Sequence, residues 1–272
     1  MNKQNIILDN QDLLRSYKTT IPTKKLSILK SRKWLPLFPE SDLAETSAYI
    51  TGKIMGDGNL DNSFTCRFVG TYNDLKKLKK IIVITYLIDA KSIKLYKREA
   101  RGTSWLLQVN DSLFGRFFYS LGAPKGNKTK TEFLVPTWIT KSEKCTKYFL
   151  QGIFEDELST IKLKRNRFLQ EATFRMVKTE EYQQNLREFL NQIRSLTEKF
   201  SVKCSNMSKS HFENVQKDGN KTYSLCFRIL GNLNNMVLFK KNIGFKLNKT
   251  KIKELDNAIM NVKRMRGQGL SH

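Results

Sequence analysis

Apolar residues recur at helical spacing in two segments of the chain, residues 41–56 and residues 140–156. Each segment is followed by short runs in which polar residues alternate with β-branched or aromatic residues, and then by another helical run. Helical spacing predicts an amphipathic helix, and alternation predicts a strand with one buried face. The pattern therefore predicts an α+β fold in which each half follows the order helix–strand–strand–helix–strand–strand–helix.

The bounds of these elements follow from the same pattern and from capping residues. In the first half we expect helices at 41–56, 73–87 and 111–121, and strands at 63–69, 92–98 and 104–109, the last two joined near Arg101 and Gly102. In the second half we expect helices at 140–156, 180–200, 234–241 and 251–264, and strands at 168–177, 202–207 and 223–229. Thr140 and Glu143 have the spacing of a capping box, and an Asn or Asp cap is expected for the helix at 73–87.

The predicted domain organisation has four parts. A basic N-terminal extension spans 1–40, the first half 41–139, the second half 140–264, and a flexible tail 265–272. The extension mixes basic and large apolar residues, so it either packs on the first half or follows a phosphate backbone.

The two long helical segments share an unusual feature, a glycine inside the helix with an acid five residues later. Gly52 precedes Asp57 in this way, and Gly152 precedes Glu157. A glycine inside a helix costs about 1 kcal/mol relative to alanine, and close approach of another helix is a physical reason to keep one. If the two helices pack side by side, their C-terminal ends bring the two acids together. Two adjacent carboxylates are stable when a cation lies between them, and Mg²⁺ prefers one or two carboxylates plus water and phosphate oxygens.

A second internal repeat is the tetrapeptide Asn-Lys-Thr-Lys, which occurs at residues 127–130 and again at 248–251. Its presence in both halves makes the repeat less consistent with chance.

The charge of the chain indicates its partner. Lys and Arg number 49 against 25 Asp and Glu, a net charge of +24, and hydrophobic residues make up 39% of the chain. A charge of this size is typical of a nucleic-acid binder. No run of eighteen apolar residues and no basic amphipathic helix is found, so no membrane partner is expected. A merely basic structural protein is the remaining alternative.

Cysteine and histidine usage argues against a structural zinc site. None of the four cysteines forms a Cys-x-x-Cys pair, and the chain has two histidines. This usage indicates a reducing compartment. The N-terminus has no secretory signal, so we expect an intracellular protein, in the cytoplasm of a prokaryote or an organelle matrix.

These features resemble the LAGLIDADG homing endonuclease family in its monomeric, two-motif form, over residues 41–260. The first motif retains the Gly-Asp-Gly ending at residues 56–58, although Lys53 and Met55 depart from the residues common there. In the second motif, Asp156 stands where a small residue is usual and Leu158 replaces the usual glycine. The second ligand is therefore Glu157, which keeps the five-residue offset, or its neighbour Asp156.

The resemblance implies a fold, a site and a substrate. Two antiparallel sheets would form a DNA-binding saddle, related by pseudo-two-fold symmetry, with the motif helices packed at the centre through Gly52, Gly56 and Gly152. Asp57 and Glu157 would hold Mg²⁺, or Mn²⁺ or Ca²⁺ in its place, with Lys128 and Lys249 beside them. The substrate would be a long, asymmetric duplex DNA target, bound by a monomer. Basic residues on strands and loops are the candidate DNA contacts: Arg67, Lys94, Lys97, Arg98, Lys162, Lys164, Arg165, Arg167, Arg175, Lys178 and Arg228.

The predicted function is a site-specific endonuclease that cuts both strands of DNA by metal-dependent phosphodiester hydrolysis. No splicing motif is found at the ends of the sequence, so an intron-encoded origin is favoured over an intein. Two alternatives on the same fold stay open: a maturase that binds intron RNA, and a catalytically inactive DNA-binding protein.

Overall fold

A computed structural model describes residues 6–9, 23–98, 104–164, 168–209, 214–215 and 219–268. The chain forms two compact units, Met1–Ile153 and Phe154–His272. The division falls within one helix, Glu143–Glu157, whereas the boundary at residues 139 and 140 refers to the sequence repeat and stays a prediction.

From residue 41 onward the first unit follows the predicted element order, whereas the helix at Thr23–Arg32 was not predicted. Its helices are α1 (Thr23–Arg32), α2 (Asp42–Met55), α3 (Tyr72–Tyr86) and α4 (Ser112–Ser120), and α5 (Glu143–Glu157) begins in it. Its strands are β1 (Asn59–Leu60), β2 (Cys66–Gly70), β3 (Ile93–Lys97) and β4 (Trp105–Val109). They form one antiparallel sheet in the order β1-β2-β4-β3, and α3 packs on it. The turn expected at Arg101 and Gly102 lies outside the described residues.

The second unit holds a second antiparallel sheet. Its strands are β5 (Leu163–Lys164), β6 (Phe168–Leu169), β7 (Ala172–Thr179), β8 (Ser208–Lys209), β9 (Asn214–Val215) and β10 (Lys221–Ile229). Its helices, after the end of α5, are α6 (Gln183–Lys199), α7 (Leu233–Asn242) and α8 (Lys249–Gln268). Strand β10 pairs with β7, β8 and β9, α6 packs on β7 and β10, and β5 and β6 form a separate pair. The prediction of an α+β fold with two antiparallel sheets is confirmed.

Aromatic side chains form the core of the first unit and fix helix α2. The ring of Trp34 lies 5.6 Å from that of Tyr86, which lies 5.0 Å from Phe114. The Tyr86 hydroxyl lies 2.9 Å from the hydroxyl of Ser47 on α2, and the Trp34 indole N–H donates to the Tyr86 carbonyl. Edge-to-face packing of this kind adds about 0.5–1.5 kcal/mol per pair beyond the buried area. Because Trp34 is fully buried against Tyr86 and Phe114, this part of the N-terminal extension packs on the rest of the first unit.

Several predicted boundaries were wrong, for local reasons. Thr140 lies in a 3₁₀ turn, Thr137–Lys141, so helix α5 begins after Ser142, whose hydroxyl accepts from the Cys145 N–H. The predicted capping box is therefore absent. Helix α3 is capped by Thr71 rather than by Asn or Asp.

Two strand predictions also need correction. The predicted strand at 168–177 is interrupted between β6 and β7, where the Gln170 N–H turns to the carbonyl of Lys162. The predicted strand at 202–207 is reduced to a single bridge between Cys204 and Ile229. Strand β2 begins at Cys66 because Phe64 adopts a φ of 62°, which is incompatible with a strand.

The last helix is longer than predicted. Helix α8 continues to Gln268, so residues 265–268 are helical rather than part of a flexible tail, and the remaining residues of that tail lie outside the described part. Among the described residues, no helix is both long and apolar enough to span a bilayer.

Candidate functional site

Helices α2 and α5 touch at the two motif glycines, within the first unit. A Cβ atom built on Gly52 would overlap the carbonyl oxygen of Phe149 and lie 2.9 Å from the amide nitrogen of Ile153. A Cβ atom built on Gly152 would overlap the carbonyl oxygen of Tyr49. The obstacle in each case is backbone, which cannot move aside as a flexible side chain can. Glycine at both positions is therefore what lets the two backbones come together.

Helix α2 ends in a tight turn that carries Asp57. The Gly56 N–H donates to the Gly52 carbonyl at 2.9 Å, and the Gly58 N–H reaches the Lys53 carbonyl at 2.9 Å. A Cβ atom on Gly58 would lie only 2.5 Å from that carbonyl oxygen. The turn therefore requires glycine at 58, and it leaves Asp57 exposed to solvent.

The side chain of Lys128 closes on the end of α2. Its ammonium group donates to the carbonyl oxygens of Ile54 at 3.1 Å and Met55 at 3.3 Å, and also to that of Gly56. The last carbonyls of a helix have no partner within the helix and carry partial negative charge, so a cation here is favourable. Gly56, Asp57 and Lys128 are called the first corner below.

The second unit contains a chemically equivalent arrangement at the end of α5. The ammonium group of Lys251 donates to the carbonyl oxygens of Phe154 at 3.2 Å, Glu155 at 2.8 Å and Leu158 at 2.5 Å. Lys251 is 9% exposed, and Glu157, next to Leu158, is half-buried. Glu157, Leu158 and Lys251 are called the second corner below.

The structure thus gives Lys251, rather than Lys249, the contacts that Lys128 makes. Lys249 is the first residue of α8 and is exposed. In the first half, the repeated tetrapeptide forms a 3₁₀ turn, Lys128–Lys130, after Asn127. In the second half, Asn248 caps an α-helix by accepting from the Lys251 N–H at 3.0 Å. Because the two copies fold differently, the lysine that returns to the motif helix occupies a different position in each.

The acidic residues of the second motif differ in their surroundings. Glu155 is buried, and its Oε1 accepts from the backbone N–H groups of Lys246, Leu247 and Asn248. Asp156 and Glu157 are both half-buried. The choice between these two as a metal ligand stays a prediction.

The donor set suits a hard divalent cation more than a transition metal. The described residues contain no group of three or more His, Cys, Asp or Glu side chains able to hold a metal ion. Burial also raises the pKa of the Cys66 and Cys204 thiols, so neither is a thiolate ligand near neutral pH. Mg²⁺ binds through one or two carboxylates and keeps water and phosphate oxygens as its other ligands. A single carboxylate at the end of each motif helix fits that requirement.

One face of the first sheet presents a polar row. Cα pairing places Asn59, Arg67, Gln108 and Lys94 side by side across the four strands, and side chains in one register row share a face. Arg67 Nε donates to Gln108 Oε1 at 3.3 Å, and its Nη1 pairs with Asp61 at 2.6 Å. Together, these residues offer both donors and acceptors from side chains that are at least partly accessible to solvent.

Asp61, which pairs with Arg67 of this row, has a lowered pKa. Partial burial acts to raise the pKa of Asp61, but hydrogen bonds from Ser63, Thr65 and Arg67 outweigh it and hold the pKa below its ordinary value. Tyr96 adds a further hydrogen bond, donating to Gln108 Oε1 at 2.7 Å. The orientation of Gln108 is therefore fixed by neighbours on both sides.

The second sheet has two exposed arginines among its predicted DNA contacts. Arg175 and Arg228 point to solvent from β7 and β10, where Arg175 pairs with Cys226 and Arg228 with Thr173. Arg228 also makes an ion pair with Glu171 at 3.4 Å, in which both partners are about half exposed. A pair of this kind contributes little stability and leaves the arginine accessible.

The other predicted DNA contacts that the structure describes differ in their exposure and position. Lys178 is 1% exposed and donates to Asn185, so it is not available to a phosphate in this structure. Lys97 is exposed but has the register parity of Ile93, which faces the helix-covered side of the sheet. Lys162 is exposed on the segment before β5, and Arg98 is half-buried at the end of β3. Arg165 and Arg167 lie outside the described residues, and so does the side chain of Lys164.

Sequence reasoning missed three features of the site: Lys251, the buried role of Glu155, and the polar partners of Arg67. Alternation along β4 and β3 could have placed Gln108 and Lys94 on one face. Nothing in the sequence alone indicated that Lys251 folds back on α5.

No family model matches the chain. The tRNA-splicing ligase RtcB of Methanopyrus kandleri is 31% identical over 219 residues, which is 75% of this chain and 21% of the ligase. The DNA-directed RNA polymerase subunit Rpo1N of Methanocaldococcus jannaschii is 29% identical over 221 residues, 75% of this chain and 16% of the subunit. The chain thus spans about a fifth of the length of these curated relatives.

Several solved structures are similar to this chain, and one of them matches most of it. The homing endonuclease I-WcaI bound to its DNA recognition sequence matches 91% of this chain and 98% of its own, with 16% identity and a TM-score of 0.47.

Proposed function

We propose that this chain is a site-specific double-stranded DNA endonuclease of the LAGLIDADG homing type, which cuts both strands by divalent-metal-dependent hydrolysis. One observation supports it above the others: the two corners. Each has a lysine ammonium on the last carbonyls of a motif helix, next to an acid at the same five-residue offset from a glycine.

Asp57 and Glu157 are the residues that would hold the metal in this proposal. A bound divalent cation supplies charge stabilisation at the scissile phosphate and a more acidic water. Lys128 and Lys251 place a positive charge on the backbone carbonyls next in sequence to each acid, without using a further metal ligand. A charge fixed in advance near a reacting phosphate contributes to transition-state stabilisation, since it needs no reorganisation during the reaction.

The exposed sheet faces are the proposed DNA-binding surface. Lys94 and Arg67, with Gln108 between them, and Arg175 and Arg228 on the second sheet, provide the cations and the polar groups. A two-stranded β-ribbon fits the major groove, where arginine or lysine reads guanine and glutamine reads adenine. Lys97 is left out of this surface because it has the parity of the helix-covered side of the sheet. Lys178 is left out because it is buried.

The two curated relatives support a separable module. A tRNA-splicing ligase and an RNA polymerase subunit have different names, yet 75% of this chain is similar to 21% of the ligase and 75% is similar to 16% of the subunit. Similarity to a small part of two differently named proteins favours a module that is separate from the named activity of either. We propose that it has its own activity, and this agrees with a nuclease encoded inside another gene.

Cleavage of a randomised duplex library in Mg²⁺ tests the proposal. We expect the parent chain to cut discrete sites on both strands. The Asp57→Asn variant should not cut these sites, although both proteins should bind them in Ca²⁺. Asp74→Asn, at an acid in the first turn of α3, is the matched control and should cut normally. Specific retention of duplex without any cut by the parent chain would establish a binding protein instead, and preference for folded intron RNA would indicate a maturase.

A further inference from the structure

The two corners differ in one buried group, the carboxylate of Glu155. By offset from the motif glycines, Glu155 corresponds to Met55, which is buried at the end of α2. The first corner therefore reaches its lysine contact without a carboxylate at this position.

In the second unit, the carboxylate is bound to the segment that leads into α8. Glu155 Oε1 accepts from the backbone N–H of Lys246 at 2.5 Å and of Asn248 at 3.1 Å, and also from that of Leu247. Hydrogen bonds to an ionised carboxylate are roughly twice as strong as neutral ones. Three amides converging on one buried oxygen fix residues 246–248 against the end of α5.

This segment in turn fixes Lys251. Asn248 is its last residue, and the Asn248 side chain accepts from the Lys251 N–H at 3.0 Å, which sets the first turn of α8. From that turn, the Lys251 ammonium returns to the carbonyls of Phe154, Glu155 and Leu158. Two sets of contacts therefore hold residues 246–251 against the end of α5. One set is made by the Glu155 carboxylate and the other by the Lys251 ammonium.

We propose that Glu155 is a positioning residue for Lys251, acting through residues 246–248, and that it makes the second corner depend on a carboxylate that the first does not use. This inference rests on the proposed function for its catalytic consequence, though not for its structural part. It also assigns Glu155 a role other than metal binding, which leaves Asp156 and Glu157 as the acids available in the second motif.

Hydrogen exchange in the full chain tests the structural part without reference to activity. Glu155→Met introduces the residue that the first half has at this place, and Glu155→Gln keeps an acceptor oxygen but loses the charge. Glu143→Met, at the exposed start of the same helix, is the matched control. We expect amides 246–248 to exchange at least about tenfold faster in Glu155→Met, and about threefold or more faster in Glu155→Gln, since the neutral bonds are roughly half as strong.

The control should exchange like the parent chain, and residues 127–130 should be unchanged in all variants. If Glu155→Met does not fold, Glu155→Gln decides, and unchanged exchange at 246–248 in a folded variant overturns the proposal.

Strand-resolved cleavage tests the catalytic part. A duplex carrying a different label on each strand should show one strand cut up to about a hundredfold more slowly by Glu155→Met, the scale at which a misplaced group reduces a rate. The same strand should be slowed by Lys251→Met, and the other strand should be cut at the parent rate. Equal slowing of both strands would show a general structural effect and overturn the positioning role. If the parent chain cuts no duplex, the proposed function fails, and the exchange measurement still decides the role of Glu155.

Discussion

The first and second corners reach the same contact by different routes. In the first, a half-exposed Lys128 comes from a 3₁₀ turn and donates to the carbonyls at the end of α2, where the residue that corresponds to Glu155 is the buried Met55. In the second, Lys251 comes from the first turn of α8 and is 9% exposed, with a buried carboxylate securing the segment before it. What the two halves share is therefore a cation on the last carbonyls of a helix, next to an acid, and not an identical local structure.

This difference shows that two halves can make the same contact although an identical tetrapeptide folds differently in each. The tetrapeptide Asn-Lys-Thr-Lys is the same in both halves, yet it forms a 3₁₀ turn once and a helix start once. In a 3₁₀ turn after Asn127, the next residue, Lys128, is the one that reaches back. At the start of α8, the lysine three positions after the cap reaches back instead. Four identical residues did not determine which side chain meets the motif helix.

The largest expected effect comes from removing the acids. Asp57→Asn and Glu157→Gln should each reduce cleavage by on the order of a thousandfold or more, because loss of one member of a catalytic unit removes most of its rate enhancement. Plasmid cleavage in Mg²⁺ measures this, with binding in Ca²⁺ as the check on folding. Asp156→Asn is the control in the second motif and should cut within about threefold of the parent. The reverse result, with Asp156→Asn inactive and Glu157→Gln active, would assign the second ligand to Asp156.

Substitution of the lysines should reduce cleavage less than substitution of the acids. It should also show whether the effect depends on the contact with the motif helix or on the position in the repeated tetrapeptide. Lys128→Met and Lys251→Met remove the charge on the carbonyls at the end of each motif helix, and we expect cleavage to fall about a hundredfold to a thousandfold, as when one stabilising donor is removed. Lys249→Met is the matched control from the same tetrapeptide and should have little effect, because its side chain is exposed. Single-turnover cleavage measures all three. A strong loss of cleavage in Lys249→Met, with Lys251→Met unaffected, would show that Lys249 is the counterpart of Lys128, as the sequence repeat implies.

The shared helix contact can be broken through stability rather than chemistry. Gly52→Ala would drive a methyl group into the backbone of α5, and overpacking of this kind typically costs about 1–3 kcal/mol. Chemical denaturation of the parent and variant measures the loss. Gly70→Ala in β2 is the control, since a Cβ atom there would lie 3.4 Å from Leu75, an ordinary contact. Equal stability of the two variants would mean that α2 and α5 do not need glycine at their crossing.

Much of the fold could be predicted because it depends on local patterns. The order of helices and strands from α2 to α4, the end of α2 at Gly56, and the long helix α6 follow from hydrophobic spacing and caps. The interruption between β6 and β7 could not be predicted, because it depends on the Gln170 N–H reaching Lys162. The start of α5 was missed because Thr140 belongs to a 3₁₀ turn that the capping pattern does not reveal.

The site was predictable to the same extent. Glycines and acids at a fixed offset are local signals, and both were found. The roles of Lys251 and Glu155 depend on contacts between residues about ninety positions apart, 251 with 158 and 155 with 246. Such contacts exist only once α5 and α8 are folded, so no local pattern indicates them.

The smallest expected effect distinguishes the two faces of the first sheet. Lys94 shares the exposed row with Arg67, whereas Lys97 has the parity of the helix-covered side, although both are exposed lysines on β3. If the polar row faces DNA, Lys94→Met should remove one phosphate contact and reduce the slope of log affinity against log salt by about 0.9, while Lys97→Met leaves it unchanged. The measurement is binding to the cleaved duplex in Ca²⁺ at several salt concentrations. An equal change in both variants would mean that β3 contacts DNA along its edge rather than through one face, and Arg67 and Gln108 would then lose their proposed place in base recognition.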